Sequence, residues 1–151
     1  MPDDGLLLDA EHMQRALARL AHEIVERHRE VGAVVLVGIR SRGVHLAHRL
    51  ATKIAELTSQ QLQVGSIDIT AYRDDVEQPR ERIEVTATDV PLPIDDRVVV
   101  LVDDVAALID RGDREVPIKA DFVGQNVGRG ERRRVHVRVR ELDGADEVRL
   151  Q

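Results

Sequence analysis

The chain has 151 residues and a formal net charge of −6, with 42% hydrophobic residues but a single Tyr, a single Phe and no Cys. That length suits one domain, residues 1–151, with a sizeable core, while the lack of Cys excludes disulfides and thiolate metal sites. The acidic balance argues against non-specific nucleic-acid binding by the whole surface, although Arg residues cluster over 129–140.

With so few aromatics, the core must be Val, Leu, Ile and Ala, which suits a sheet with helices on its faces. No apolar stretch approaches the length of a membrane span. Met1-Pro2-Asp3-Asp4 lacks the basic start and apolar core of a signal peptide. A soluble, cytoplasmic protein is expected.

Residues 9–30 read as an amphipathic helix, with Met13, Leu17, Leu20 and Ile24 at helical spacing, Asp9 as N-cap and Gly32 just past the end. Arg15, Arg19, His22 and Glu26 form a stripe on the opposite side, which residue type alone reads as a solvated helix face. Ala33 to Val37 is a buried strand, Gly38 to Gly43 a loop, and a second helix follows on Leu46, Leu50, Ile54 and Leu57. Strand, Gly-flanked basic loop and helix make the first half of a βαβ unit.

Leu62 to Tyr72 predicts a strand that runs into a charged, mobile segment over 73–82. A turn over 90–96 leads into residues 97–102, whose run Val98-Val99-Val100-Leu101-Val102 reads as a buried strand delivering Asp103 and Asp104 to its end. A turn is expected over 111–115 and a short strand end over 121–124. Val135, Val137 and Val139 alternate with His136, Arg138 and Arg140, predicting a strand with one cationic face. Residues 141–144 read as a hairpin-type turn, with 147–150 pairing back. No internal repeat or low-complexity tract interrupts this order.

Two places carry chemistry. Asp103 and Asp104 sit at the C-terminal end of a strand, where open α/β sheets bind ligands. Paired acids there hold Mg²⁺ together with substrate oxygens, accept hydrogen bonds from vicinal ribose hydroxyls, or simply mark a solvated strand-to-loop boundary. Arg40-Ser41-Arg42-Gly43 precedes a helix N-terminus, where backbone N–H groups and the helix dipole attract anions. Its plainer reading is a basic surface turn. A phosphorylated sugar fits both places together. The His residues are poor metal candidates: His45 and His48 are three apart on one helix, and His12, His22 and His28 are spread out.

In Arg15 to Ile24, Val37-Gly38-Ile39-Arg40-Ser41-Arg42-Gly43, Asp68-Ile69-Thr70-Ala71-Tyr72-Arg73-Asp74-Asp75, Val100 to Val105 and Asp110 to Val127, the chain resembles the pyrimidine operon attenuation regulator family, a branch of the type I phosphoribosyltransferases. The resemblance implies an α/β fold with a mostly parallel central sheet, flanking helices and a small hood region. It implies UMP-dependent binding of pyrimidine operon leader mRNA, with promotion of transcription termination. It also implies transfer from phosphoribosyl pyrophosphate (PRPP) to uracil, giving UMP and pyrophosphate, with Mg²⁺ as cofactor.

By the family pattern Ser41 and Arg42 hold pyrophosphate, with Ser in place of the usual Thr. Asp103 and Asp104 are the catalytic pair, binding ribose hydroxyls directly or through Mg²⁺, beside Val105. Tyr72 and Arg73 lie in a covering loop, and Arg111 and Val127 contact substrate near the base. Arg15, Arg19, His22 and Lys119 match RNA-contact positions. Ala18, where the family has a hydroxyl residue, and Asp113, where it has His, count against RNA binding. The resemblance also implies a homo-oligomer, dimer or higher. Two competing readings are a non-catalytic regulator that binds nucleotide and RNA without turnover, and a salvage phosphoribosyltransferase with no RNA role.

After Val105 the family continues with a Thr-Gly-Arg-Thr loop that cradles the 5′-phosphate, then a helix. Here about 25 residues are absent, a length that fits a full crossover connection. Parallel neighbours need a crossover of roughly a dozen residues or more, so 98–102 and 106–110 are not adjacent parallel strands. Three accounts stand: a segment omitted from the written sequence, a true deletion, or a different pairing. The apolar sheet face that a deletion would expose favours the first.

Overall fold

A computed structural model describes residues 5–28, 30–69, 85–89, 97–103, 109–110, 125–126 and 134–150. The order begins with β1 (Leu6–Leu8), α1 (Ala10–Arg27), a 3₁₀ turn (Val31–Ala33), β2 (Val34–Ile39), α2 (Arg42–Thr58) and β3 (Gln63–Ile69). It continues with β4 (Val85–Asp89), β5 (Val98–Val102), β6 (Ile109–Asp110), β7 (Gln125–Asn126), β8 (Val135–Arg138), α3 (Arg140–Asp143) and β9 (Glu147–Leu150).

Asp9 caps α1 as the sequence predicts: its carboxylate accepts from the His12 N–H at 2.8 Å. The helix ends at Arg27, earlier than expected, because His28 turns to extended backbone while its N–H still reaches the Ile24 carbonyl. Gly32 therefore falls in the 3₁₀ turn. The buried face of α1 is Met13, Ala16, Leu17, Leu20, Ala21 and Ile24. In α2 the stripe Leu46, Leu50 and Ile54 is buried, but Leu57, in the last turn, is 44% exposed.

The central sheet has the order β4-β3-β2-β5. β2 pairs in parallel with both β3 and β5, while β4 adds an antiparallel edge to β3. Val34 to Val37 are all buried, as befits a central strand. Strand β5 departs from the expected buried strand. It is an edge among the described strands, and Val98, Val99 and Leu101 are exposed. Val102 is buried in the core with Val100 packed against it, whereas Val99 and Leu101, on the alternate positions, lack comparable cover.

The terminal strands form a second, antiparallel sheet, β1-β9-β8, which answers to the hood. Its buried residues Leu8, Val137 and Val148 join Val139, the α1 face, Leu36 and Leu46 in one continuous core. Residues 147–150 pair back on β8 as predicted, but the expected turn at 141–144 begins as one helical turn, α3. The Asp143 carboxylate accepts from the Val139 N–H at 2.9 Å, and Gly144 closes the turn at φ 78°. The predicted loop at 38–43 also shrinks: β2 runs through Ile39 and α2 starts at Arg42.

Strands β6 and β7 pair with each other in parallel, as a separate two-stranded sheet. β6 does not pair with β5, in agreement with the short connection between them. The expected turns and charged segment over 73–82, 90–96 and 111–115, and the strand end over 121–124, lie outside the described residues.

Candidate phosphoribosyl site

The basic loop at residues 40–43 and the strand that leads to Asp103 meet at one glycine. A β-carbon on Gly43 would fall well inside van der Waals contact with the Val102 carbonyl oxygen, and 3.3 Å from the Asp103 Cα. The first turn of α2 therefore rests on the end of β5, where Asp103 is half-buried. Gly38 permits the same closeness on the other side, since its β-carbon would stand 2.6 Å from the Gly43 carbonyl and 2.7 Å from the Val44 nitrogen. The loop is tied to β3 as well, through an Arg40 N–H to Ile67 carbonyl bond of 2.9 Å.

The Arg40–Ser41 peptide is cis. Ser41 is the N-cap residue of α2, yet its hydroxyl makes no capping bond, and the side chain is exposed. The hydroxyl and the N-terminal N–H groups of a 17-residue helix thus share one mouth. Arg42 is engaged by the C-terminal hairpin. Its Nε and Nη2 donate to the two Asp143 oxygens at 3.2 and 2.8 Å, a bidentate pair.

Two turns further along α2, Arg49 donates to Asp146 at 2.7 and 3.1 Å and pairs with Glu141. Arg49 and Asp146 are 9% and 6% exposed. Burial lowers the Arg49 pKa, but its bonds to Glu141 and Asp146 outweigh that and leave it raised. Burial raises that of Asp146, and the Arg49 hydrogen bond then brings it below the usual carboxylate range. The Arg49 and Arg42 hydrogen bonds likewise hold Glu141 and Asp143 low. The C-terminal hairpin is thereby latched to α2 beside the basic loop at residues 40–43. Sequence reading missed this latch, because 101 residues separate Arg42 from Asp143 and no periodicity reports such a contact.

Of the predicted site residues, Ser41, Arg42 and Asp103 are brought to one end of the sheet. Asp104, Val105, Tyr72, Arg73, Arg111, Val127 and Lys119 lie outside the described residues. Arg15, Arg19 and His22 are exposed on α1 as expected. Arg15 pairs with Glu11 at 2.6 Å and Arg19 with Glu23 at 3.8 Å, both on their own helix.

The phosphoribosyl transferase domain matches residues 5–112. This chain belongs to the phosphoribosyltransferase family. It lies in the pyrimidine regulator branch: the bifunctional protein PyrR of Chloroflexus aurantiacus is 46% identical over 173 residues, covering 98% of this chain and 95% of the relative. The bifunctional protein PyrR of Limosilactobacillus fermentum is 42% identical, with 96% of each covered, and that of Thermus thermophilus 42%, with 95% and 93% covered. Solved phosphoribosyltransferases share the fold. A hypoxanthine phosphoribosyltransferase from Staphylococcus aureus superposes with a TM-score of 0.76 at 16% identity, covering 97% of this chain and 90% of that one. A Trypanosoma cruzi hypoxanthine phosphoribosyltransferase in a ternary substrates complex gives 0.75 at 15%, covering 98% and 95%. The alignment to the Chloroflexus relative spans 173 residues where this chain has 151, so that family member carries more than twenty residues without a counterpart here.

Proposed function

We propose that this phosphoribosyltransferase is a UMP-dependent regulator of pyrimidine biosynthesis that binds operon leader mRNA to promote transcription termination, and that it also converts uracil and PRPP to UMP and pyrophosphate. The observation that carries the transferase reading is the packing of Gly43 on the backbone of Val102 and Asp103, which sets the basic loop before α2 against the acid-bearing strand at the ligand end of the sheet. Ser41, Arg42 and the α2 N-terminus would take the pyrophosphate of PRPP. Asp103 and Asp104 would take the ribose hydroxyls. Val105 adjoins that acidic pair, Tyr72 and Arg73 would cover the site, and Arg111 and Val127 would contact the base.

Mg²⁺ favours oxygen donors, usually one or two carboxylates completed by substrate phosphates, and Asp103, whose Cα lies beside Gly43, is a residue of that chemistry. Asp103 and Asp104 would hold the ion, directly or through water. Bound there, Mg²⁺ would offset the charge of the departing pyrophosphate.

For RNA, Arg15, Arg19 and His22 offer one exposed helix face, with Lys119 completing the set. The Arg15 and Arg19 pairs are exposed, and such helix pairs contribute only about 0.2–0.5 kcal/mol, so phosphates can displace Glu11 and Glu23. A homo-oligomeric cytoplasmic protein, dimer or higher and built as one domain, completes the proposal. A described helix long and apolar enough to cross a membrane is lacking.

The shortfall against the relatives favours a second reading, in which RNA and nucleotide binding persist without turnover. Two assays decide. UMP formation from uracil, PRPP and Mg²⁺, together with a UMP-dependent shift of labelled leader RNA, is the expected result. An RNA shift without UMP formation selects the non-catalytic regulator, and UMP formation without a shift selects a salvage enzyme. Loss of both overturns the proposal. Charge reversal at Arg19 should weaken RNA binding and flatten its salt dependence.

A further inference from the structure

We infer that Asp143 is a positioning residue for the pyrophosphate subsite, fixing one edge of the Arg42 guanidinium so that the other edge faces an incoming anion. The inference rests on the reading of residues 40–43 as an anion loop. Arg42 uses only Nε and Nη2 for Asp143. Its Nη1 has no hydrogen-bond partner among the described residues, and the side chain is 34% exposed. A guanidinium offers five donors in a rigid fork, so a bidentate pair on one edge leaves donors on the other, at the first residue of α2.

Asp143 is itself held. Its Oδ2 accepts from the Val139 N–H at 2.9 Å, and its side chain is 19% exposed. Asp146 steadies the same hairpin from behind, accepting from the Arg140 N–H at 2.8 Å and from Arg49. The Arg42 hydrogen bond holds the Asp143 carboxyl below the usual carboxylate range, so it stays anionic at neutral pH.

A free Arg side chain must surrender rotamer freedom when it binds a phosphate. An Arg already fixed by a part-buried framework surrenders less, and pre-organisation of this kind raises affinity without adding a contact. Asp143 also brings a negative charge near the subsite, which acts in the opposite direction. The sign of the effect therefore separates positioning from competition.

The test is calorimetric titration of the full chain with inorganic pyrophosphate at fixed Mg²⁺. Asp143→Asn should weaken binding by about tenfold, the scale of one ordered side chain, and Asp143→Glu should recover part of it. In an Arg42→Ala background Asp143→Asn should have no further effect, because Asp143 acts through Arg42. Asp146→Asn loosens the same hairpin without touching Arg42, so it should lower the Tm and leave pyrophosphate affinity within about twofold. Unchanged or tighter binding by Asp143→Asn, an equal loss in the Arg42→Ala background, or an equal loss from Asp146→Asn would overturn the inference while leaving the phosphoribosyl reading in place. If the unmodified chain does not bind pyrophosphate, both fall.

Discussion

Gly43 shows how much of the site hangs on one missing side chain. Alanine is the better helix former by roughly 1 kcal/mol, so intrinsic propensity favours Gly43→Ala. The close approach to the Val102 carbonyl opposes it, because a backbone atom cannot rotate aside. Overpacking typically costs about 1–3 kcal/mol, so the variant should melt lower and bind pyrophosphate more weakly, as α2 is pushed off β5. Thermal denaturation and the titration described above check both. Gly144→Ala makes the complementary case, with nothing within 4 Å of its β-carbon but φ at 78°. It should cost roughly 1–2 kcal/mol through conformation alone, again read from the Tm. Gly43 was legible in the sequence as part of a Gly-flanked basic loop. Its partner was not, since only the folded register brings Val102 to it.

Helix α2 and the C-terminal hairpin are joined chiefly by charge. Arg49→Met leaves Asp146 buried without its cationic partner, and breaking a buried pair from one side costs about 3–5 kcal/mol, a loss to be measured by denaturant unfolding. The same latch sets an acid limit. Glu141, Asp143 and Asp146 all have depressed folded-state pKa values. Their contribution is complete above the unfolded values, near 4, and is lost as pH falls through the lower folded ones. The Tm of the unmodified chain should therefore drop more steeply between about pH 4 and pH 2 than that of Arg49→Met, which has already lost the Glu141 and Asp146 pairings. A parallel decline would show that these ion pairs do not govern the acid limit. Elements α1 and α2 were readable because Met13, Leu17, Leu20 and Ile24, and Leu46, Leu50 and Ile54, repeat at the helical period. The latch was not, because Glu141 and Asp146 are ordinary turn residues until Arg49 lies against them.

Across the whole molecule, the parallel arrangement β3-β2-β5 follows from aliphatic strands and a crossover helix, and the sequence carries both. The openness of β5 does not follow, because Val98 to Val102 have the composition of a strand covered on both faces. Composition reports what a strand was selected to pack against, and the relatives' additional residues supply a candidate cover that the described residues lack. The consequence is measurable at Leu101, which is 57% exposed, next to Val102 at 4%. In this chain Leu101→Gln should shift stability by no more than about 0.5 kcal/mol, as for most surface changes, whereas Val102→Ala should cost about 1–2 kcal/mol of lost burial. Inserting the Chloroflexus relative's additional residues between Val105 and Ala106 should reverse the Leu101 result, making Leu101→Gln cost about 2 kcal/mol or more, because a buried amide then lacks partners. If Leu101→Gln is already that costly in the unaltered chain, β5 is covered, and an intact mass above that of the 151 residues would identify an omitted segment as the cover.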